Sequence, residues 1–229
     1  MAVGYNPRIV TDGLVLALDA ANIKSYPSSG STWYDLSGKG NNGTLFNGIG
    51  YNSANGGSLD FDGLDDRVVI DDGIRTAVGE FVATSSNPFS ISVWFEPTTS
   101  DTSSNCIFSK ANGFGSEGNV YLEYDGTNLS SVIRGTATND FYTTLTSTWH
   151  EVAICWDGTT FKSYVNGSFV SNLSVGTATS QDTSVRIGNT GNRNEPFNGK
   201  ISNVKVYTKE LTATEVVQNF NALRERYGI

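Results

Sequence analysis

Two dipeptides, Asp157-Gly158 and Asn166-Gly167, constrain this chain more than any other feature. Each separates short runs rich in β-branched and aromatic residues: Val152 to Trp156, Phe161 to Val165, and Phe169-Val170. Asn-Gly and Asp-Gly supply the positive φ of the primed turns, whose twist matches that of paired strands. The stretch is therefore predicted to be a three-stranded antiparallel meander. Strand-like runs recur elsewhere. Phe89, Ile91, Val93 and Phe95 alternate with Ser90, Ser92, Trp94 and Glu96, the period of two expected of a strand. Trp94 falls on the polar side of that alternation, so neither face of this strand is expected to be fully solvated. Val185 to Gly188 and Ile201 to Tyr207 supply two further strands, with a polar loop, Asn189 to Pro196, between them.

One helix is predicted, near the C-terminus. Thr212-Ala213-Thr214-Glu215 fits a capping box, in which the Thr212 hydroxyl and the Glu215 carboxylate satisfy opposite amide donors. Val216, Phe220, Leu223 and Tyr227 then share one apolar face. Arg224 and Arg226 complement the helix dipole, and Gly228 is placed to end it. That face is expected to pack on the chain's own sheet; the alternative is a partner chain. Asp71 to Pro88 is longer than a hairpin needs, and Ile74, Val78, Phe81 and Val82 recur at helix-like spacing, so a short helix or a packed loop is expected there. A chain of 229 residues with 25 Gly and 5 Pro suits one large sandwich joined by tight turns. Residues 1–11 read as an N-terminal arm and 12–229 as the domain. The arm is expected either to form a terminal strand or frayed end, or to dock onto a neighbouring subunit.

The stretch Thr11 to Gly48 opens on an apolar run, Leu14 to Leu18, closed by Asp19. It ends in Trp33-Tyr34-Asp35-Leu36-Ser37-Gly38-Lys39-Gly40-Asn41-Asn42-Gly43. Gly, Asn and Asp crowd this segment because they tolerate positive φ or bond their own backbone, so the chain turns tightly without helix or sheet. GLVLALDA, SYPSSGSTWYDLSG and GNNGTL together resemble the start of concanavalin A-like, laminin G-like jelly-roll domains, closest to versions in virion proteins of tailed bacteriophages. Further matches are Leu59-Asp60-Phe61-Asp62-Gly63 with Asp65-Asp66, Phe89 to Phe95, Trp149 to Ala153, Tyr164 to Gly167, and Phe197 to Ile201 leading to Val206-Tyr207. The resemblance implies an all-β, concanavalin A-like jelly-roll sandwich of two antiparallel sheets with a short C-terminal helix.

The formal net charge of −8 at pH 7 repels phosphate backbones, and no basic run with interleaved aromatics offsets it, so nucleic acid is not expected as a partner. No apolar run is long enough for a transmembrane helix, and Met1 to Arg8 lacks the apolar centre of a secretory signal. Synthesis in a host cytoplasm and release in a virion is the expected localisation. Cys106 and Cys155, each within an apolar run, read as two buried free thiols; a bridge would require neighbouring strands.

Catalysis is not expected. The lone histidine, His150, lies in a strand match, no serine is singled out for a triad with it, and Glu151 points to the opposite sheet face. Glu123-Tyr124-Asp125 approaches the paired carboxylates that glycan cleavage requires, but the third acid of the E-x-D-x-E pattern used by some enzymes of this fold is missing. Oxygen-rich turns are another matter. Asp62, Asp65 and Asp66, with Asp19 at the end of the first strand, are candidate calcium ligands; calcium takes several carboxylate and carbonyl oxygens. The resemblance reinforces this, since many laminin G-like relatives bind calcium at a sandwich rim. The alternative is that some of these acids cap turns. Asp60 and Asp62 are expected on one side of a strand whose Leu59 and Phe61 point to the core.

For sugar binding, the Gly-rich loop from Asn112 to Asn119 with Phe114 at its centre is the first choice. Tyr51, Tyr121, Tyr124, Phe141, Tyr142 and Phe197 are further aromatic candidates. The resemblance implies a virion structural protein, a capsid decoration or a short fibre or tail component, with a lectin-like domain that adheres without turnover. Its expected partners are other virion proteins, through the N-terminal arm or the domain surface, and host-surface glycans. A homo-oligomer, with three-fold symmetry as the guess, is expected. A capsid-stabilising protein that binds no glycan, a bacterial carbohydrate-binding module and a glycanase are the rival readings.

Overall fold

The computed structural model describes residues 7–70, 88–98, 104–111, 118–126, 128–133, 138–173, 184–190 and 195–229. The segment from Asp71 expected to hold a short helix lies outside the described residues but for its last, Pro88. Sixteen strands occur among the described residues: β1 (Leu14–Asp19), β2 (Thr32–Trp33), β3 (Gly43–Phe46), β4 (Gly50–Asn52), β5 (Ser58–Asp62), β6 (Arg67–Ile70), β7 (Phe89–Pro97), β8 (Ser104–Ala111), β9 (Gly118–Asp125), β10 (Asn128–Ile133), β11 (Thr138–Tyr142), β12 (His150–Trp156), β13 (Phe161–Val165), β14 (Ser168–Leu173), β15 (Val185–Ile187) and β16 (Asn198–Tyr207). One α-helix follows, α1 (Ala213–Tyr227).

The strands form two antiparallel sheets, as expected. The first runs β14-β13-β12-β7-β16-β5-β4, and the second β11-β10-β9-β8-β15-β6-β3-β2. The longest strand, β16, pairs along one side with β7. Its other side is shared: Asn198 to Ile201 meet β5, and Asn203 to Tyr207 meet β1. The expected meander is present as β12-β13-β14, and the Asn166-Gly167 turn has φ of 49° and 74°. In β7, Phe89, Ile91, Val93 and Phe95 face the core between the sheets, with Leu122 and Tyr124 of β9 and Ile187 of β15 among the residues of the same cluster. Aromatic edges interlock there; Phe197 meets Phe61, Phe95 and Tyr124 at centroid distances of 5.7, 6.4 and 5.7 Å.

The irregular segment after Trp33 is organised by one carboxylate. Asp35 Oδ1 accepts from the backbone N–H groups of Ala17 and Ser37. Its Oδ2 accepts from the Ser37 hydroxyl and the Asn41 N–H. Asn41 Nδ2 in turn donates to the Val15 carbonyl at 2.6 Å, which ties the loop to β1.

The outer face of the first sheet is closed by α1. The helix has the expected capping box at Thr212 and Glu215, and Gly228 ends it in the left-handed region at φ 74°. Trp94 is fully buried beneath it, stacked on Tyr227 at 4.3 Å and on Phe220 at 5.6 Å, while Trp149 packs on Tyr227 at 4.5 Å. The apolar stripe of the helix thus packs intramolecularly. The start of the chain joins it: Val10 N–H donates to Asn219 Oδ1 at 2.8 Å, and Gln218 Nε2 donates to the Arg8 carbonyl at 2.7 Å. The described end of the N-terminal arm is therefore held by the chain's own helix.

Charged groups share this closed layer. Glu151 and Lys205 are 0% and 1% exposed. Glu151 Oε1 accepts from the Ser92 hydroxyl at 2.8 Å, and Lys205 Nζ donates to Asn203 Oδ1. Burial pushes the Glu151 carboxyl up to about 7 against the opposing pull of Lys205, and burial brings Lys205 down to about 8 against the pull of Glu151 and Asp19. The two thiols are free and buried, and lie far apart. Cys106 is in β8 of the second sheet, and Cys155, in β12, belongs to the cluster under α1.

Two outcomes follow. Trp94→Ala removes the surface on which α1 stacks and is expected to cost about 3–5 kcal/mol, read by urea unfolding. A folded-state carboxyl raised from its usual value stabilises fully below the unfolded pKa and loses that contribution as pH rises through the folded pKa. Glu151→Gln is therefore expected to gain about 1–3 kcal/mol relative to the parent protein between pH 4.5 and pH 7. Parallel stability curves across that window would refute this.

Candidate functional site

With α1 and the start of the chain on the first sheet, the outer face of the second sheet is the face on which polar side chains gather without a covering element among the described residues. Strand alternation decides which ones. In β6, Val68 and Ile70 enter the core, so Arg67 and Val69 face outward. In β15, Val185 and Ile187 enter the core, and Arg186 faces outward. The register places Arg186 opposite both Val69 and Ser109, and Ser109 opposite Tyr121. Phe46 of β3 stands opposite Arg67. The outer face thus carries a band of Phe46, Arg67, Val69, Arg186, Ser109 and Tyr121 running across five strands.

The band grades from exposed to buried. Phe46 is 38% exposed, and Arg67, Val69 and Arg186 are half-buried. Ser109 and Tyr121 are buried. The Arg67 guanidinium lies over the Phe46 ring, 4.9 Å from its centroid. Arg186 Nε is buried and has no hydrogen-bond partner. Desolvation and, after it, the nearby charge of Arg67 lower the Arg186 pKa from the usual arginine range. A parallel row holds Cys106, Glu123 and Ser130, where the Ser130 hydroxyl donates to Glu123 Oε1 at 3.4 Å. Asp125, two residues on from Glu123, also faces outward and is exposed.

At the rim, residues 63–66 carry the chain from β5 of the first sheet to β6 of the second. Asp60 and Asp62 are exposed while Leu59 and Phe61 are buried, as the alternation predicts. The structure brings Asp62, Asp65 and Asp66 together, with one carboxylate oxygen of each within 4.8 Å of the others. Asp66 is 2% exposed. Its Oδ2 accepts from the Asp62 N–H at 3.1 Å, and its Oδ1 is buried with no partner. Burial and, secondarily, the charges of Asp62 and Asp65 push the Asp66 carboxyl up to about 6, against the pull of the Asp62 amide. Asp62 Oδ1 also accepts from the Leu64 N–H at 2.9 Å, so turn capping and clustering occur together. Asn47 Nδ2 holds the Asp65 carbonyl at 2.9 Å.

Asp19 lies outside this group. Its carboxylate accepts from the Ala21 N–H and pairs with Arg226 of α1 at 2.8 Å, so it anchors the helix. Asn112 and Phe114 lie outside the described residues; Asn119 is placed in β9. Tyr121, Tyr124, Phe141 and Phe197 are buried, and Tyr51 and Tyr142 are partly buried against the core. Phe46, Arg67 and Arg186 were not among the sequence candidates. The available signal was a single charged residue inside each short apolar run, RVVI and VRI. His150 points between the sheets, 6.0 Å from the Phe95 ring, and burial lowers its pKa.

A family model described as the Concanavalin A-like lectin/glucanases superfamily matches residues 68–217. No curated protein matches the chain in sequence. Among solved structures, the binding domain of botulinum neurotoxin serotype D superposes with a TM-score of 0.68 at 16% identity, over 92% of this chain and 52% of that one. A botulinum neurotoxin type C structure, described as dependent for cell entry on interaction with two ganglioside molecules, gives 0.68 at 15% identity, over 93% and 52%. Trypanosoma rangeli sialidase gives 0.69 at 16% identity, over 95% of this chain and 34% of the enzyme. The chain therefore spans about half, or less, of each of these proteins, and at such identities the likeness is one of fold.

Proposed function

The chain belongs to the concanavalin A-like lectin/glucanases superfamily, and from that membership we propose that it is a carbohydrate-binding domain that acts by adhesion, without catalysis. The observation that carries the reading is the asymmetry of the sandwich. One outer face is sealed by α1, while the other presents the exposed Phe46 ring and the half-buried Arg67 and Arg186 beside the buried Ser109 and Tyr121, aromatic and polar groups of the kind sugar rings require. The neighbour whose cell entry depends on gangliosides supports the same direction. The virion setting, as a capsid decoration or a short fibre or tail component, rests on the likeness of the GLVLALDA and WYDLSG segments to phage domains. In that setting repeated copies in a homo-oligomer, a trimer for preference, would raise weak single contacts by about 10²–10⁴ in avidity.

Calcium at the rim is part of this proposal. The buried, unpartnered Oδ1 of Asp66 and the two further carboxylates within 4.8 Å form a donor set of hard oxygens that fits this ion. Asp62, Asp65 and Asp66 would hold it, and the ion would supply open coordination positions for ligand oxygens. The Asn47–Asp65 contact fixes the loop in which these carboxylates sit.

A glycan array probed with and without calcium tests adhesion: binding to a subset of glycans is expected, and silence on all of them would leave a scaffold role instead. Release of reducing sugar from those glycans would overturn the non-catalytic part. Calcium at 100 times its Kd is expected to stabilise the fold by about 2.7 kcal/mol, seen as a rise in Tm that chelation reverses. Asp66→Ala should abolish that rise; an equal rise in the variant, or none in the parent, sinks the rim assignment.

A further inference from the structure

We infer that Arg67 and Arg186 together hold an anionic group, a carboxylate or a sulfate ester, of the bound glycan. This rests on the reading that the outer face of the second sheet binds carbohydrate, and narrows it to acidic sugars. The first ground is placement. Arg186 stands opposite Val69, and Arg67 is two residues before Val69 on the same face, so the two arginines are diagonal neighbours on adjacent strands. Such neighbours have Cβ atoms about 7–8 Å apart, within reach of two long side chains converging on one group. Like charges at this spacing repel.

The second ground is that no acid among the described residues relieves the repulsion. The formal net charge of the chain is −8, so acids are plentiful. Yet neither Arg67 nor Arg186 forms an ion pair with any carboxylate among the described residues. Arg67 sits next to Asp65 and Asp66 in sequence, but it donates to the Asp65 carbonyl at 3.4 Å and not to a carboxylate. Arg186 keeps its Nε buried and without a hydrogen-bond partner. A buried donor on a charged group that is left unmade is costly, and an oxyanion arriving from outside supplies the missing acceptor.

The third ground is preorganisation. The Arg67 guanidinium lies over the Phe46 ring, 4.9 Å from its centroid, and this contact restricts where its donor fork can move. Phe46 itself remains 38% exposed, so part of its ring is free to meet the apolar face of a sugar. The acids of the rim lie just before Arg67 in the chain, and calcium bound there would mask their charge from an approaching anion.

The test compares glycans of one backbone with the charge present or removed, by calorimetric titration in calcium-containing buffer. Polygalacturonate oligomers against their methyl esters isolate the carboxylate; carrageenan oligomers against the same oligomers after chemical desulfation isolate the sulfate. The parent protein is expected to prefer the charged member of at least one pair by tenfold or more. Arg186→Gln and Arg67→Gln should each reduce that preference to less than about threefold, by weakening the charged member more than the neutral one. Arg67 is the more tolerant site for folding, and matching Tm values identify variants fit for comparison. Equal binding of charged and neutral members, or an undiminished preference in both variants, overturns this inference and leaves carbohydrate binding standing. Binding of no glycan at all overturns both.

Discussion

The stacking of Trp94 between the sheet and the rings of Phe220 and Tyr227 decides which side of this sandwich meets the outside. A two-sheet sandwich has two outer faces, and burying one of them under a helix requires large apolar surface on both partners. Trp94 supplies it from the sheet, at a strand position where alternation otherwise places Ser90, Ser92 and Glu96. Around it the layer is polar yet buried. Glu151 and Lys205 share it with Ser92, Asn203 and Asn219, all buried. Such a layer specifies where the helix sits, because Asn219 must reach Val10 and Arg226 must reach Asp19.

With one face closed by α1, the chemistry of the other differs along its length. The rim gathers carboxylates on a short connection between the sheets. The adjoining strands carry guanidinium groups, an exposed ring and a buried polar floor. These two zones meet at consecutive residues, Asp66 and Arg67. Negative and positive groups are thus adjacent, yet Arg67 donates to the Asp65 carbonyl and to none of the three carboxylates. The three acids come from the end of β5 and the turn that follows it, and the band from separate strands, so the first depends on local turn geometry and the second on sheet register.

Much of this was legible in the sequence, and the exceptions share a physical cause. Asn166-Gly167, the Thr212–Glu215 capping box and the alternation through β7 are local rules, and each appears as written in the structure. The acids Asp62, Asp65 and Asp66 were visible because they are near neighbours in the chain. Asp19 was read with them for its place at a strand end, but its partner, Arg226, arrives from the far end of the sequence. The same distance hid Arg186, which joins Arg67 only through the pairing of β15 with β6. Tyr124 misled for another reason. Its parity with Val120 and Leu122 assigns it to the core, where its ring is buried in the same cluster as their side chains and is closed to a ligand.

The anchoring of Arg8 and Val10 on α1 brings the two ends of the described chain to one side of the molecule. Arg8 and the end of α1 thus both lie on the side that the helix closes. An array of such copies, grafted by their termini to a common support, would stand with the arginine-bearing surface pointing away from it, like tiles laid with the glaze outward.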